Sequence, residues 1–377
     1  MKIMTVFGTR PEAIKMAPLV KEFEKQEVNN ITVVTAQHRE MLDQVLNIFK
    51  ISPKYDLDLM KQRQDVFQIT SNVLTSLKKV MEDENPDIVL VHGDTTTSFA
   101  ASLAAYYLKI KVGHIEAGLR TGNKYSPFPE EMNRRLTGTI ADLHFAPTEL
   151  ARENLIKENI SPENIFVVGN TVIDALYQIK EKIIAEDLGR HIEGRINAQC
   201  GQDIFKKKIV LITGHRRENL GERFKSLFSG IRDLAKKYSD THHFLYPVHL
   251  NPAVRETAFD ILEGRNNISL IEPLDYVDFV WMMYRSNMII TDSGGIQEEA
   301  PSFGKPVLVI RDTTERPEAV KAGTVNLCGV DGDKLFDNFV RIADSEEDYE
   351  KMSKAHNPYG DGATSSRIVD FLKNGVL

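Results

Sequence analysis

The chain has 377 residues, 42% hydrophobic and 27% charged, which is enough core-forming material for two domains at about 150 residues each. Lys and Arg number 47 against 54 Asp and Glu, a formal net charge of -7 that argues against a general nucleic-acid binder. The only two cysteines are Cys200 and Cys328, which excludes a disulfide scaffold and suits a reducing compartment.

The N-terminus opens on a short apolar run, Lys2–Phe7, followed at once by charge. That is not the pattern of a secretory leader, and no apolar stretch is long enough to span a membrane. A cytoplasmic protein is expected. Further apolar runs at Ile31–Ala36, Asp87–His92, Val112–Ile115, Leu143–Ala146 and Phe166–Val168 read as buried strands. Between them lie helical patterns, such as the face Val66, Ile69, Val73, Leu77 and Val80. The alternation restarts at Ile209–Thr213 and continues through Phe244–Pro247, Ile268–Ile271, Met288–Thr291 and Val307–Ile310. Strands alternating with helices imply crossover units and parallel sheets covered on both faces.

The break between the two series is the polar, helical stretch Gln178–Lys208. We expect an α/β protein of two doubly wound, Rossmann-like parallel-sheet domains with a cleft between them. Residues 1–169 form the first and 170–362 the second. The final helix, about Ser365–Lys373, is expected to pack back onto the first domain. Such folds bind ligands at strand C-termini, and the motifs follow strands.

The first strand ends in Gly8-Thr9-Arg10-Pro11-Glu12, then a helix carrying Lys15. A glycine permits close backbone approach, Arg10 offers a planar fork for phosphate, and a helix N-terminus favours an anion. The missing second glycine argues against a dinucleotide fingerprint. His92-Gly93-Asp94-Thr95-Thr96-Thr97 and His114-Ile115-Glu116-Ala117-Gly118 also follow strands, and Pro129-Glu130-Glu131-Met132-Asn133-Arg134 starts a helix. Thr and Asp there can serve simply as helix caps, and Glu130 with Arg134 as an exposed ion pair. Three acids, Asp94, Glu116 and Glu130, at successive strand ends or helix starts point instead to acid–base chemistry. In the second half, Gly214-His215-Arg216-Arg217-Glu218-Asn219 suits phosphate binding or acid catalysis on a phosphorylated leaving group. Thr291-Asp292-Ser293-Gly294-Gly295-Ile296-Gln297-Glu298-Glu299 runs from a strand into a helix start. Its hydroxyl and backbone N–H groups suit a diphosphate, and Glu299 suits the ribose hydroxyls. The histidines are scattered and neither cysteine has a ligand-spaced partner, so no metal is expected.

Together these segments resemble the non-hydrolysing UDP-N-acetylglucosamine 2-epimerases of bacteria. The likeness runs from GTRPEAIKMAPL through TAQHREMLDQV, VHGDTTT, HIEAGLRT, PFPEEMNR, GHRRENLG, PVHLNP, TDSGGIQEEAP and RDTTERPEA to NPYGDG. It implies a glycosyltransferase-B-like fold, a homodimer, no NAD or other cofactor, and interconversion of UDP-N-acetylglucosamine and UDP-N-acetylmannosamine for a cell-surface polysaccharide. By resemblance, Arg10, His215, Ser293, Gly294, Gly295 and Glu299 hold UDP, with Phe279 near the uracil and Arg316 nearby. Lys15, Asp94, Glu116, Glu130, Arg134 and His215 line the sugar end. A second, allosteric UDP-N-acetylglucosamine site matches Gln37, His38, Arg63, Gln64, Arg216 and His249, with Glu130 on its border. A hydrolysing 2-epimerase, a UDP-sugar glycosyltransferase and a non-catalytic UDP-sugar sensor are the alternatives.

Overall fold

The computed structural model describes residues 1–36, 39–59, 64–216 and 219–374. The chain forms two compact units, Met1–Ala175 with Tyr359–Leu377, and Leu176–Pro358.

The first unit is built on seven parallel strands: β1 (Lys2–Phe7), β2 (Asn29–Val34), β3 (Tyr55–Asp56), β4 (Ile88–His92), β5 (Lys111–Ile115), β6 (Leu143–Ala146) and β7 (Ile165–Val167). Their order is β3-β2-β1-β4-β5-β6-β7, so the winding reverses between β1 and β4. The second has six: β8 (Lys208–Thr213), β9 (His242–Pro247), β10 (Ile268–Ile271), β11 (Met288–Thr291), β12 (Val307–Val309) and β13 (Val325–Leu327). Their order is β10-β9-β8-β11-β12-β13, with the reversal between β8 and β11. The Gly8 and Asp94 loops thus flank one switch point, and the His215 and Ser293 loops flank the other. Crevices at such points are where doubly wound sheets take ligands.

Helices on both faces explain why the strands read as unbroken apolar runs rather than alternating ones. All five residues of β4 are buried. Val73, Leu77, Val80 and Met81 of α3 (Val66–Glu84) join Met4, Val6, Val89 and Val91 in one core. The expected face starts too early, because Val66 in the first turn is 39% exposed. In the second unit, Phe224, Leu227, Phe228 and Ile231 of α9 (Glu222–Lys237) pack on Val210, Ile212, Phe244 and Tyr246.

Two local expectations change. The run Ile31–Ala36 leaves the sheet at Val34, and Ala36 adopts φ 52°, a left-handed turn. Pro129 stands at the N-cap position of α5 (Glu130–Ile140), one residue before its first turn and without a side-chain cap bond. The last helix, α16 (Thr364–Lys373), belongs to the first unit. There the N–H of Ser365 donates to Asp174 at 2.6 Å, and the Phe371 ring lies 4.5 Å from that of Phe166.

Candidate active site

The β1 turn is held by an acid outside the set singled out from the sequence. Glu12 lies in the first turn of α1 (Arg10–Lys25) and forms a capping box with Thr9. One carboxylate oxygen accepts from the Gly8 and Thr9 N–H groups at 3.0 and 2.8 Å. The other accepts from Thr95 Oγ1 at 2.6 Å and Ser98 Oγ at 3.0 Å, so one buried side chain ties the β1 and β4 loops together. Burial raises its pKa despite these donors. No larger residue fits at Gly8, where a Cβ would meet Thr35 Oγ1 at 2.0 Å. Arg10, at the head of α1, is half-buried, and its side chain has no hydrogen-bond or ion-pair partner among the described residues.

Four of the expected sugar-end residues meet in a single charged cluster. Lys15 pairs with Glu116 Oε2. Arg134 pairs with Asp94 through one terminal nitrogen. Its other terminal nitrogen donates to the Glu116 carbonyl at 2.9 Å and lies 3.5 Å from Glu116 Oε1. One guanidinium therefore bridges the acids that follow β4 and β5. Arg134 turns inward, 8% exposed, instead of pairing with Glu130 on its own helix. Glu130 is half-buried at the start of α5, and its carboxylate has no partner among the described residues.

Glu116 is the most constrained member. It is 5% exposed and holds φ 60°, a left-handed conformation that costs a non-glycine residue about 1–2 kcal/mol. Burial works against its charge, but Lys15, His92 and Arg134 outweigh it and hold the carboxyl well below its usual range. Asn170 Nδ2 donates to it at 2.9 Å, and His92 Nε2 stands 3.8 Å away. Burial, only partly offset by Glu116, pushes the His92 imidazole down to about 4, so the ring is neutral near pH 7. His92 and Asn170 were not among the candidate residues. Each follows the pattern that picked out the others, a polar side chain at or just after a strand end.

In the second unit, Asp292 organises the loop after β8. It is fully buried, and its Oδ2 accepts from the N–H groups of His215 and Arg216, both at 2.9 Å, and from Asn219 Nδ2 at 3.2 Å. Its Oδ1 faces His215 Nδ1 at 3.4 Å. The His215 side chain is 45% exposed and stacks on His249, ring centroids 5.3 Å apart. Burial lowers its pKa, with Asp292 pulling the other way and His249 and Arg216 reinforcing the drop.

Ser293 begins α12 (Gly294–Glu299) in extended conformation and makes no side-chain cap bond, which leaves its hydroxyl available. Gln297 Nε2 donates to the Ser293 carbonyl at 3.0 Å and fixes the turn. A Cβ at Gly295 would stand 3.1 Å from Glu299 Oε1, so the glycine keeps that carboxylate's approach clear. Arg316 pairs with the buried Glu298. Arg311 grips Glu315 with two bonds of 3.0 and 3.1 Å, and Arg216 lies 3.4 Å from the same carboxylate. Against the effect of burial, Arg311, Arg216 and Arg316 hold Glu315 at about 2. Phe279 is half-buried on α11 (Tyr276–Arg285).

Of the residues expected at the second ligand site, Gln37, His38 and Arg63 lie outside the described residues, as do Arg217 and Glu218 of the β8 loop. Gln64 Nε2 donates to the Leu59 carbonyl at 3.0 Å. Among the described residues, no helix is long and apolar enough to cross a membrane.

Two doubly wound units with ligand loops at their switch points define the glycosyltransferase-B-like class of fold. A Rickettsia africae glycosyltransferase shares that fold at 13% identity, with a TM-score of 0.62 over 99% of this chain and 98% of its own. The sequence pattern of UDP-N-acetylglucosamine 2-epimerase matches residues 21–373. The UDP-N-acetylglucosamine 2-epimerase of Bacillus subtilis is 55% identical over 99% of this chain and 95% of its own. That of Escherichia coli is 53% identical over the whole of both chains. The crystal structure of the Neisseria meningitidis enzyme bound to UDP-GlcNAc is 53% identical, with a TM-score of 0.88 over the whole of both chains. The chain belongs to the UDP-N-acetylglucosamine 2-epimerase family.

Proposed function

We propose that the protein is a non-hydrolysing epimerase that interconverts UDP-N-acetylglucosamine and UDP-N-acetylmannosamine by eliminating UDP and adding it back. The C2 proton of the sugar is not adjacent to a carbonyl, so its direct removal is prohibitively slow. Breaking the C1–O bond first sends the electron pair to UDP and builds positive charge on the ring, which acidifies C2. Loss of the C2 proton to a carboxylate then gives 2-acetamidoglucal. Protonation of C2 from the opposite face and attack of a UDP oxygen on C1 complete the inversion. Two acid–base groups on opposite faces are required.

The observation that carries this reading is Arg134, which holds the acids Asp94 and Glu116 at adjacent strand ends. Glu116 takes one of the two proton transfers, and Asp94 or Glu130 takes the other. His215, Arg10, the Ser293 hydroxyl and the N–H groups at Gly294 and Gly295 bind the departing diphosphate, where donors aimed at developing charge lower the barrier. Glu299 takes the ribose hydroxyls, Phe279 lies by the uracil, and Arg316 supports the same loop. No cofactor takes part. The same reading includes a homodimer and a second UDP-N-acetylglucosamine bound near Arg216 and His249. The stacking of His249 on His215 gives that ligand a way to act on the diphosphate site. The product supplies N-acetylmannosamine for a surface polysaccharide.

Proton NMR of the purified protein with UDP-N-acetylglucosamine in D2O tests the reading. UDP-N-acetylmannosamine with deuterium at C2 of both sugars is expected. Accumulation of free sugar and UDP would make the protein a hydrolase, and an unchanged spectrum would contradict both.

A further inference from the structure

The second unit carries a cavity that the proposed reaction does not use. It lies at the strand N-termini, where β8 begins at Lys208 and where Asn287 and Lys305 precede β11 and β12. The His215 and Ser293 loops are at the other end of the same sheet. Six residues of β8, at roughly 3.3 Å each, set the two ends about 20 Å apart.

The cavity measures about 290 Å³, is partly open to solvent, and is lined by four cationic residues, Lys207, Lys208, Arg285 and Lys305, with no Asp or Glu in its lining among the described residues. Arg285 packs over the Phe205 ring at 5.7 Å, and its Nε donates to Glu193 at 2.7 Å, which leaves its terminal nitrogens for another acceptor. Lys207 donates to the Ser239 carbonyl at 2.7 Å. Lys208 and Lys305 have no carboxylate partner among the described residues. Lys305 is half-buried, and burial together with Arg285 pushes its pKa down. Asn287 and Tyr349 hydrogen-bond each other at 3.1 and 3.2 Å and stiffen the far wall.

Arg285 shares its charge with Glu193, but Lys208 and Lys305 carry theirs without a carboxylate partner among the described residues, and an anion seated in this partly open pocket would neutralise them. An arginine fork with nearby ammonium groups suits phosphate geometry. The volume sits at the bottom of the about 300–1,000 Å³ range of ligand pockets, too small for a nucleotide sugar. We propose that this cavity is a separate anion site that binds a small phosphate-bearing ligand: inorganic phosphate, pyrophosphate or a small phosphate monoester.

The test is calorimetric titration of the full chain, saturated with UDP to occupy the diphosphate loops, at fixed ionic strength. Inorganic phosphate, pyrophosphate and glycerol phosphate are the probes, and their ranking identifies the source. At least one should bind saturably, and Arg285→Gln and Lys305→Met should each weaken it about tenfold or more. Lys208→Gln alters an exposed side chain and keeps the test open should the other variants misfold. Acetylation footprinting by mass spectrometry should show the probe protecting Lys305 and Lys207 while other lysines react as before. Absence of saturable binding, equal affinity in folded variants, or protection spread evenly over the lysines would overturn the proposal.

Discussion

At the first switch point Lys15, Asp94, Glu116 and Arg134 satisfy one another inside the protein, with His92 and Asn170 packed against them. At the second, the Ser293 hydroxyl is unspent and the His215 ring is nearly half exposed, while the buried Asp292 spends one oxygen on the backbone beneath and turns the other towards His215. Both sites stand at the same place in the same kind of sheet, yet they handle charge in opposite ways. A proton-transfer site gains from desolvated groups whose ionisation is set in advance, because electrostatic interactions strengthen away from water. A site for an anion gains from open donors, because the ligand brings the missing charge. On the proposed function, the contrast fits proton chemistry in the first unit and, Arg10 aside, leaving-group recognition in the second.

The largest effect expected from breaking this contrast is at Glu116. Glu116→Gln keeps the shape and removes the carboxylate, and should lower C2 exchange by about 10³-fold. UDP affinity, measured calorimetrically, should stay within about twofold of the parent. Asp94→Asn should act in the same direction. Full exchange rates in both variants would remove the acids from the mechanism. Next comes Arg134→Lys, in which one ammonium replaces a fork that spans two acids. Misplacing both by about 1 Å should cost about 10²-fold in kcat, with little change in UDP affinity. Ser293→Ala should do the reverse. Loss of one hydrogen bond to a charged ligand should weaken UDP binding about tenfold, read by titration.

A smaller effect concerns pH. His92 and His144 are pushed from 6.5 down to about 4 by burial, so between those values the unfolded chain binds protons that the folded chain refuses. Stability therefore falls as pH falls from 6.5 towards 4. The depressed Glu116 adds to the loss further down, since its contribution is present above 4.5 and fades as pH drops. Thermal unfolding should show a Tm that declines through this window, and a shallower decline in His92→Gln. A flat profile would mean that His92 is not held neutral.

Much of the fold was legible because strands covered on both faces appear as bare apolar runs: Lys2–Phe7, Leu143–Ala146, Ile268–Ile271 and Met288–Thr291 match their observed strands end to end. The two-residue β3 and three-residue β13 were not read from the sequence: both are short edge strands, and β3 (Tyr55–Asp56) and β13 (Val325–Leu327) each include a polar residue that breaks the apolar run. At the site, strand-end acids and the Ser-Gly-Gly turn announced themselves locally. Glu12 was hidden behind its ordinary role as a helix cap, and its second role depends on Thr95 and Ser98, which lie 83 and 86 residues on. Asn170 meets Glu116 across 54 residues, a contact that only the winding of the sheet creates. Arg134 sits four residues from Glu130, but the pull of the buried Glu116 and the partly buried Asp94 overrode that local pairing.

The most direct test of elimination is positional isotope exchange with 18O placed in the bridge between C1 and the β-phosphorus of UDP-N-acetylglucosamine. If UDP departs and returns, its free β-phosphate rotates, and the label should scramble into non-bridging positions at least as fast as the C2 configuration inverts. Inversion at C2 with the label still in the bridge would contradict loss of UDP.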